Sequence, residues 1–271
     1  MSTPLKPATF GHIRSGLDAL DRVLDNIRLG DNVVWQVDDI ADYRFFASRM
    51  ARQALDDGFR VVYIRFGAHP AVVDPDDRIR VCEIDAHRGF EAFTAQVHRV
   101  VADEGRQTFY IFDCLTGLTD EWCSDLMTGN FFRSTCPYLF ELDTVAYFAL
   151  LRGRHSYETI ARIRETTQLL LDLYNIGGTL YLHPLKVWER YSPTMFLPHR
   201  LSPDGSEITP VTASTEAAAL FSTRIPGAGG ARQLDYWDRL FLEAETALEL
   251  PVDDPESLDW RRRLIHMLFG P

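Results

Sequence analysis

Lysine is nearly absent from this chain. Its 271 residues carry 28 basic side chains, and only Lys6 and Lys186 among them are lysine. A guanidinium stays charged at any accessible pH, whereas an ammonium is a compact charge that burial can tune. A mechanism that needs a lysine in the folded body therefore has Lys186 as its candidate. Cysteine is scarce as well: Cys82, Cys114, Cys123 and Cys136 form no C-x-x-C and no zinc-ligand spacing. Each sits among apolar neighbours, which predicts buried, reduced thiols in a reducing compartment. No apolar run approaches the ~20 residues that cross a bilayer, and the opening MSTPLKPATFGH has no apolar secretion core. These absences predict a soluble, cytoplasmic protein with no membrane partner. Positive charge is in deficit, 39 acidic residues against 28 basic ones for a formal net charge of −11, which argues against nucleic acid as a partner. No His, Cys, Asp or Glu spacing marks a metal site.

What is present is ordinary globular composition, 46% hydrophobic and 25% charged. A stripe of Leu17, Leu20, Val23 and Leu24 predicts a helix capped by Ser15. β-rich runs at 32–37, 60–66 and 79–84 alternate with helical patterns whose apolar faces hold Phe46 and Met50, then Phe93 and Val97. Asp42 is the candidate cap of the helix after the first run. Unbroken apolar runs at 108–112 and 144–151 predict strands buried on both faces, separated by a helical region, 119–142, interrupted at Gly129 and Pro137. A short helix is expected over 159–167. Asn175, Ile176, Gly177 and Gly178 then mark a hairpin between 168–174 and 179–188, and 203–212 has room for one more short strand. The alternation predicts an α/β fold with a mainly parallel sheet and an antiparallel edge hairpin. The glycine-rich break at 226–230 divides an α/β domain, 1–225, from a small helical C-terminal extension, 231–271.

In an open α/β sheet, ligands bind at the carboxyl ends of the strands. A phosphate cradle after the first central strand needs glycines and a lysine. The turn here reads Asp38, Asp39, Ile40, Ala41, Asp42, Tyr43, with neither. The run Phe109, Tyr110, Ile111, Phe112, Asp113 ends as a magnesium-orienting strand would; a turn-closing aspartate is the other reading of Asp113.

These residues carry a family resemblance. Ser15-Gly16-Leu17-Asp18-Ala19-Leu20-Asp21 followed by Gly30-Asp31-Asn32-Val33-Val34 resembles the entry to RecA/KaiC-type ATPases. Asp113-Cys114-Leu115-Thr116-Gly117-Leu118 resembles the segment after their Walker B strand, and Leu185-Lys186-Val187-Trp188-Glu189-Arg190 resembles the basic segment that reaches a neighbouring subunit's nucleotide. The resemblance spans residues 10–212 and implies a RecA-like three-layer sandwich, with ATP or ADP plus magnesium as cofactor and a homo-oligomer as assembly. The departures are specific. The Walker A loop is degenerate, and no carboxylate stands near Phe66-Gly67-Ala68-His69, where the catalytic glutamate pair would fall. A narrower resemblance, running through Gly129-Asn130-Phe131-Phe132-Arg133 and Arg152-Gly153-Arg154-His155-Ser156, is to the N-terminal region of bacterial phosphoenolpyruvate-synthase-like, pyruvate dikinase-related proteins. It implies an ATP-grasp or phosphotransfer partner domain. The function implied is a hydrolysis-deficient module that assembles or regulates such a system, with no catalytic residues of its own.

The rival expectation is an active enzyme or nucleotide binder in which an Arg/His/Lys cluster replaces the P-loop. Asp113, Arg152, Arg154, His155, Lys186 and Arg190 are its candidate anion-binding residues, since paired guanidiniums grip phosphate bidentately. Surface ion pairs are the competing reading of the same arginines. Val187, Trp188, Tyr191 and Met195 beside Lys186 are expected to present an apolar, aromatic surface for self-association.

Overall fold

The computed structural model describes residues 12–213 apart from Cys123, together with residues 216, 217 and 220. The expected helical extension at 231–271 lies outside the described residues. Within them a nine-stranded mixed sheet forms the middle of three layers.

The short ladder β1 (His12–Ile13) and β2 (Ile27–Arg28) brackets α1 (Asp18–Leu24). Ser15 does not cap α1 through its side chain. Its N–H instead donates to Asp21, and its hydroxyl turns to the Leu17 carbonyl. Gly16 has a φ of +82°, and a Cβ there would lie 2.6 Å from the Arg49 carbonyl oxygen. Only glycine allows that approach of the chain to the next helix.

Next come β3 (Asn32–Val37), α2 (Ile40–Asp56), β4 (Arg60–Arg65) and β5 (Ile79–Glu83). The cap of α2 is Asp39, which accepts from the Ala41 N–H at 2.8 Å; Asp42 already lies inside the first turn. Three acids in five residues offered several caps, and the helix starts at the first that leaves Tyr43 and Phe46 facing the sheet. Then follow α3 (Phe90–Glu104), β6 (Thr108–Cys114), α4 (Leu118–Trp122) and α5 (Asp125–Glu141). The expected interruptions at Gly129 and Pro137 do not occur. Burial of Phe131, Phe132, Cys136 and Leu139 holds α5 continuous through the proline, and Gly129 makes room for the Arg162 side chain, 3.2 Å from where a Cβ would stand.

The last elements are β7 (Val145–Leu151), α6 (Tyr157–Thr166), β8 (Leu169–Ile176), β9 (Thr179–Val187), β10 (His199–Leu201) and β11 (Ile208–Pro210). Gly177 and Gly178, with φ of +58° and +83°, form the two-residue turn between β8 and β9, the left-handed pair that a tight hairpin demands. The sheet order is β11-β10-β9-β8-β3-β7-β6-β4-β5. β8, β3, β7, β6, β4 and β5 run parallel, and β9, β10 and β11 extend one edge antiparallel. β10 was not foreseen; at three residues it is too short to show a period.

β3 is buried along its whole length and feeds both cores. On one face Val33, Trp35 and Val37 pack with Leu20 of α1 and with Phe46 and Met50 of α2; Trp35 stacks on Phe46 at 4.3 Å. On the other face Val34 joins Phe112, Phe148, Phe93 of α3, Phe131 of α5 and Ile163 of α6. Aromatic rings dominate this second core, with Phe112 stacked on Phe148 at 4.5 Å. Cys114 and Cys136 are buried free thiols, and Cys82 is half-buried and free. Among the described residues no helix is long and apolar enough to cross a membrane.

Candidate functional site

β3, β4, β6, β7 and β8 point their carboxyl ends to one edge of the sheet, and three polar centres stand along it. The first closes the turn after β3. Arg152, just past the end of β7, donates from Nε to Asp38 at 2.9 Å and from Nη1 to Asp172 at 2.8 Å. Its Nη2 reaches the carbonyls of Leu173 at 2.8 Å and Gln36 at 3.3 Å. The guanidinium carbon lies 4.0 Å from the centre of the Tyr174 ring, and the Tyr174 hydroxyl donates to Asp172. Burial opposes the charge on Arg152, but Asp172, Tyr174 and Asp38 outweigh it and hold its pKa above the ordinary value. Asn175 completes the turn by donating from Nδ2 to Asp42 at 2.9 Å.

The second centre surrounds Asp113, whose side chain is fully buried. It accepts from the N–H groups of Phe66 at 2.9 Å and Gly67 at 2.8 Å, from the Tyr63 hydroxyl, and from Arg65 at 3.4 Å. Burial, with the Asp113 carboxylate accepting its proton, pushes Tyr63 up to about 12. His69 closes the loop, accepting the Cys114 N–H at Nε2 and leaving Nδ1 to donate to the Pro70 carbonyl.

The third centre is a line of three side chains from separate elements. His155 Nδ1 lies 2.5 Å from Asp125 Oδ1, and His155 Nε2 lies 2.7 Å from Thr116 Oγ1. The Ser156 N–H and hydroxyl both donate to Asp125 Oδ2, at 2.8 and 2.7 Å. Burial works against the Asp125 charge, but the bonds from Ser156, Thr159 and His155 prevail and keep its pKa below the ordinary value.

The six candidate anion residues therefore do not form one cluster. Asp113, Arg152, Arg154 and His155 lie at the carboxyl edge, but in different centres. Asp113 and Arg152 spend their polar atoms on their own surroundings, and Arg154 is exposed. Lys186 and Arg190 are at the opposite edge. The antiparallel β9 carries Lys186 back level with Leu170 near the start of β8. There its Nζ donates to the Arg164 carbonyl in the last turn of α6, and burial, with help from Arg164, lowers its pKa. Arg190 forms a bidentate pair with Asp31, just before β3, at 2.6 and 2.9 Å, with both side chains 3% exposed or less. Of the expected apolar surface, Val187 and Met195 are buried; Trp188 and Tyr191 are exposed, Tyr191 to 76%.

ATP with magnesium does not fit this edge. Where the resemblance would put its phosphates, Arg152 is bound between Asp38 and Asp172, and Asp113, which the resemblance would give to the metal, is buried under four donors. Among the described residues no group of three or more His, Cys, Asp or Glu is placed to hold a metal ion. Sequence reasoning missed Tyr63, Asp172 and the role of Thr116. Thr116 lay inside a quoted motif, but its alignment with His155 needs contacts across 39 residues. No protein-family model matches the chain, and no curated protein matches it.

Proposed function

We propose that this chain is a hydrolysis-deficient RecA/KaiC-like module that serves as an assembly or regulatory domain in phosphoenolpyruvate-synthase-type phosphotransfer. The observation that carries the first half is the closed turn after β3. Hydrolysis of a nucleoside triphosphate in this fold class depends on backbone N–H groups and a lysine around the phosphates. Here that turn has no lysine and no glycine to present such N–H groups, and its Asp38 is paired with Arg152. In support of the fold assignment, β3 sits centrally in a parallel array, with β6, whose penultimate residue is Asp113, two strands away. The link to phosphotransfer and to an ATP-grasp partner rests on the sequence resemblance through Gly129 to Ser156.

Two measurements test this reading. Steady-state phosphate release from MgATP by the full chain should equal the protein-free blank, and Asp113→Asn should leave it there. Release above the blank that Asp113→Asn abolishes would restore the enzyme reading. The assembly role predicts self-association through the exposed aromatic segment. Sedimentation velocity at tens of micromolar should show oligomers that Tyr191→Ser reduces to monomers, and a wild-type monomer contradicts it.

A further inference from the structure

We propose that Thr116, His155 and Asp125 form a nucleophilic relay in which the Thr116 hydroxyl accepts an acyl group from an uncharged carboxylic ester. The inference is independent of the assembly role and rests on geometry. An activated hydroxyl needs a base within hydrogen-bond reach and a third group that orients the base. Both distances are present, 2.7 Å and 2.5 Å.

The protonation pattern follows from the partners. A carboxylate only accepts, so Nδ1 of His155 carries the hydrogen facing Asp125. That leaves Nε2 of the neutral ring to accept the Thr116 O–H. The Leu151 N–H donates to the same Thr116 oxygen at 2.8 Å and so stabilises negative charge developing there. Asp125 is a positioning residue, itself locked by two bonds from Ser156. The His155 side chain is 1% exposed, so bulk water does not compete for its nitrogens. Thr116 is half-buried and its neighbour Gly117 is exposed.

The substrate class follows from charge. The chain carries a net charge of −11, and this edge holds Asp38, Asp39 and Asp42 against Arg152 and Arg154. A polyanionic donor is repelled there and a neutral ester is not. In the step, the Thr116 oxygen bonds to the ester carbonyl carbon while its proton passes to His155 Nε2. The carbon–oxygen bond to the alcohol then breaks, and the departing alcohol takes that proton. Water frees the acid from Thr116 by the same transfers, with His155 first removing the proton of water and then returning it to the Thr116 oxygen.

The test uses the full chain and p-nitrophenyl acetate, with the acetyl adduct mapped by mass spectrometry. The expected result is an acetyl group on Thr116 that Thr116→Ser preserves at residue 116. His155→Gln should slow its appearance about 100-fold, and Asp125→Asn about tenfold, with the far-UV circular dichroism of each variant unchanged. The isosteric Thr116→Val should remove the adduct without unfolding the chain. Acetylation confined to Lys186, the amino terminus or other surface groups, or unchanged in rate in His155→Gln, would overturn the proposal.

Discussion

Arg190→Met should cost about 3–5 kcal/mol of folding stability, the usual penalty for removing one partner of a buried ion pair. Arg190 and Asp31 are 1% and 3% exposed, and the guanidinium also donates to the Asn26 carbonyl at 2.7 Å. Without it, Asp31 remains buried at the entry to β3 with the Arg28 N–H as a donor at 2.8 Å. For a domain of this size the loss corresponds to a fall in Tm of roughly 6–20 °C. Adding Asp31→Asn should recover part of it, because the uncompensated charge is then gone. Thermal unfolding by circular dichroism measures both. A single-variant loss below about 1 kcal/mol, the range of exposed pairs, would mean the pair is a surface contact after all.

Arg152→Leu should cost about 2–4 kcal/mol, less than Arg190 because its side chain is 20% exposed and Asp38 18% exposed. The leucine leaves Asp38 and Asp172 as like charges at one strand edge, with no cation between them. Their repulsion is present in the folded chain and absent from the unfolded one, and acidification relieves it. The deficit relative to wild type should therefore shrink as pH falls from 7 towards 4 and be largest at neutral and higher pH. Denaturant titrations of both proteins across that range measure it. A deficit that stays constant across that range would show that Arg152 acts through packing on Tyr174 rather than through the two acids.

The parts of the fold set by local chemistry were legible. The β-rich run of β3 announces a strand, the unbroken apolar runs of β6 and β7 announce strands buried on both faces, and Gly177-Gly178 announces a left-handed turn. Local propensity misled at α5, where Gly129 and Pro137 look like breaks. Tertiary burial of Phe131, Phe132 and Leu139 overrides them. Asp42 was expected as the cap and Asp39 takes the place, for the related reason that nearby acids are chemically equivalent until the buried face of the helix is fixed.

The site was less legible than the fold, and the physical reason is pairing at long range. Arg152 was recognisable as a cation at a strand end, but its acids come from position 38, just past the neighbouring β3, and position 172, on β8. Lys186 and Arg190 read as neighbours of Arg152 only until the antiparallel direction of β9 is known. That direction carries Lys186 and Val187, level with the start of β8, to the far edge. Asp113 carried the right residue type at the right strand end. What sequence could not supply is that Tyr63, Phe66 and Gly67 already occupy its oxygens.

Thermal unfolding of the full chain with and without MgATP tests the closed turn after β3 most directly. A ligand present at 100 times its Kd adds ~2.7 kcal/mol to the folded state, a rise of about 5–11 °C in Tm for a domain of this size. With the phosphate position filled by Arg152, Asp38 and Asp172, millimolar MgATP should leave Tm within the scatter of the MgCl2 control. A saturable rise of several degrees that Arg152→Leu or Asp113→Asn removes would contradict it, and would place a nucleotide at the end of β3.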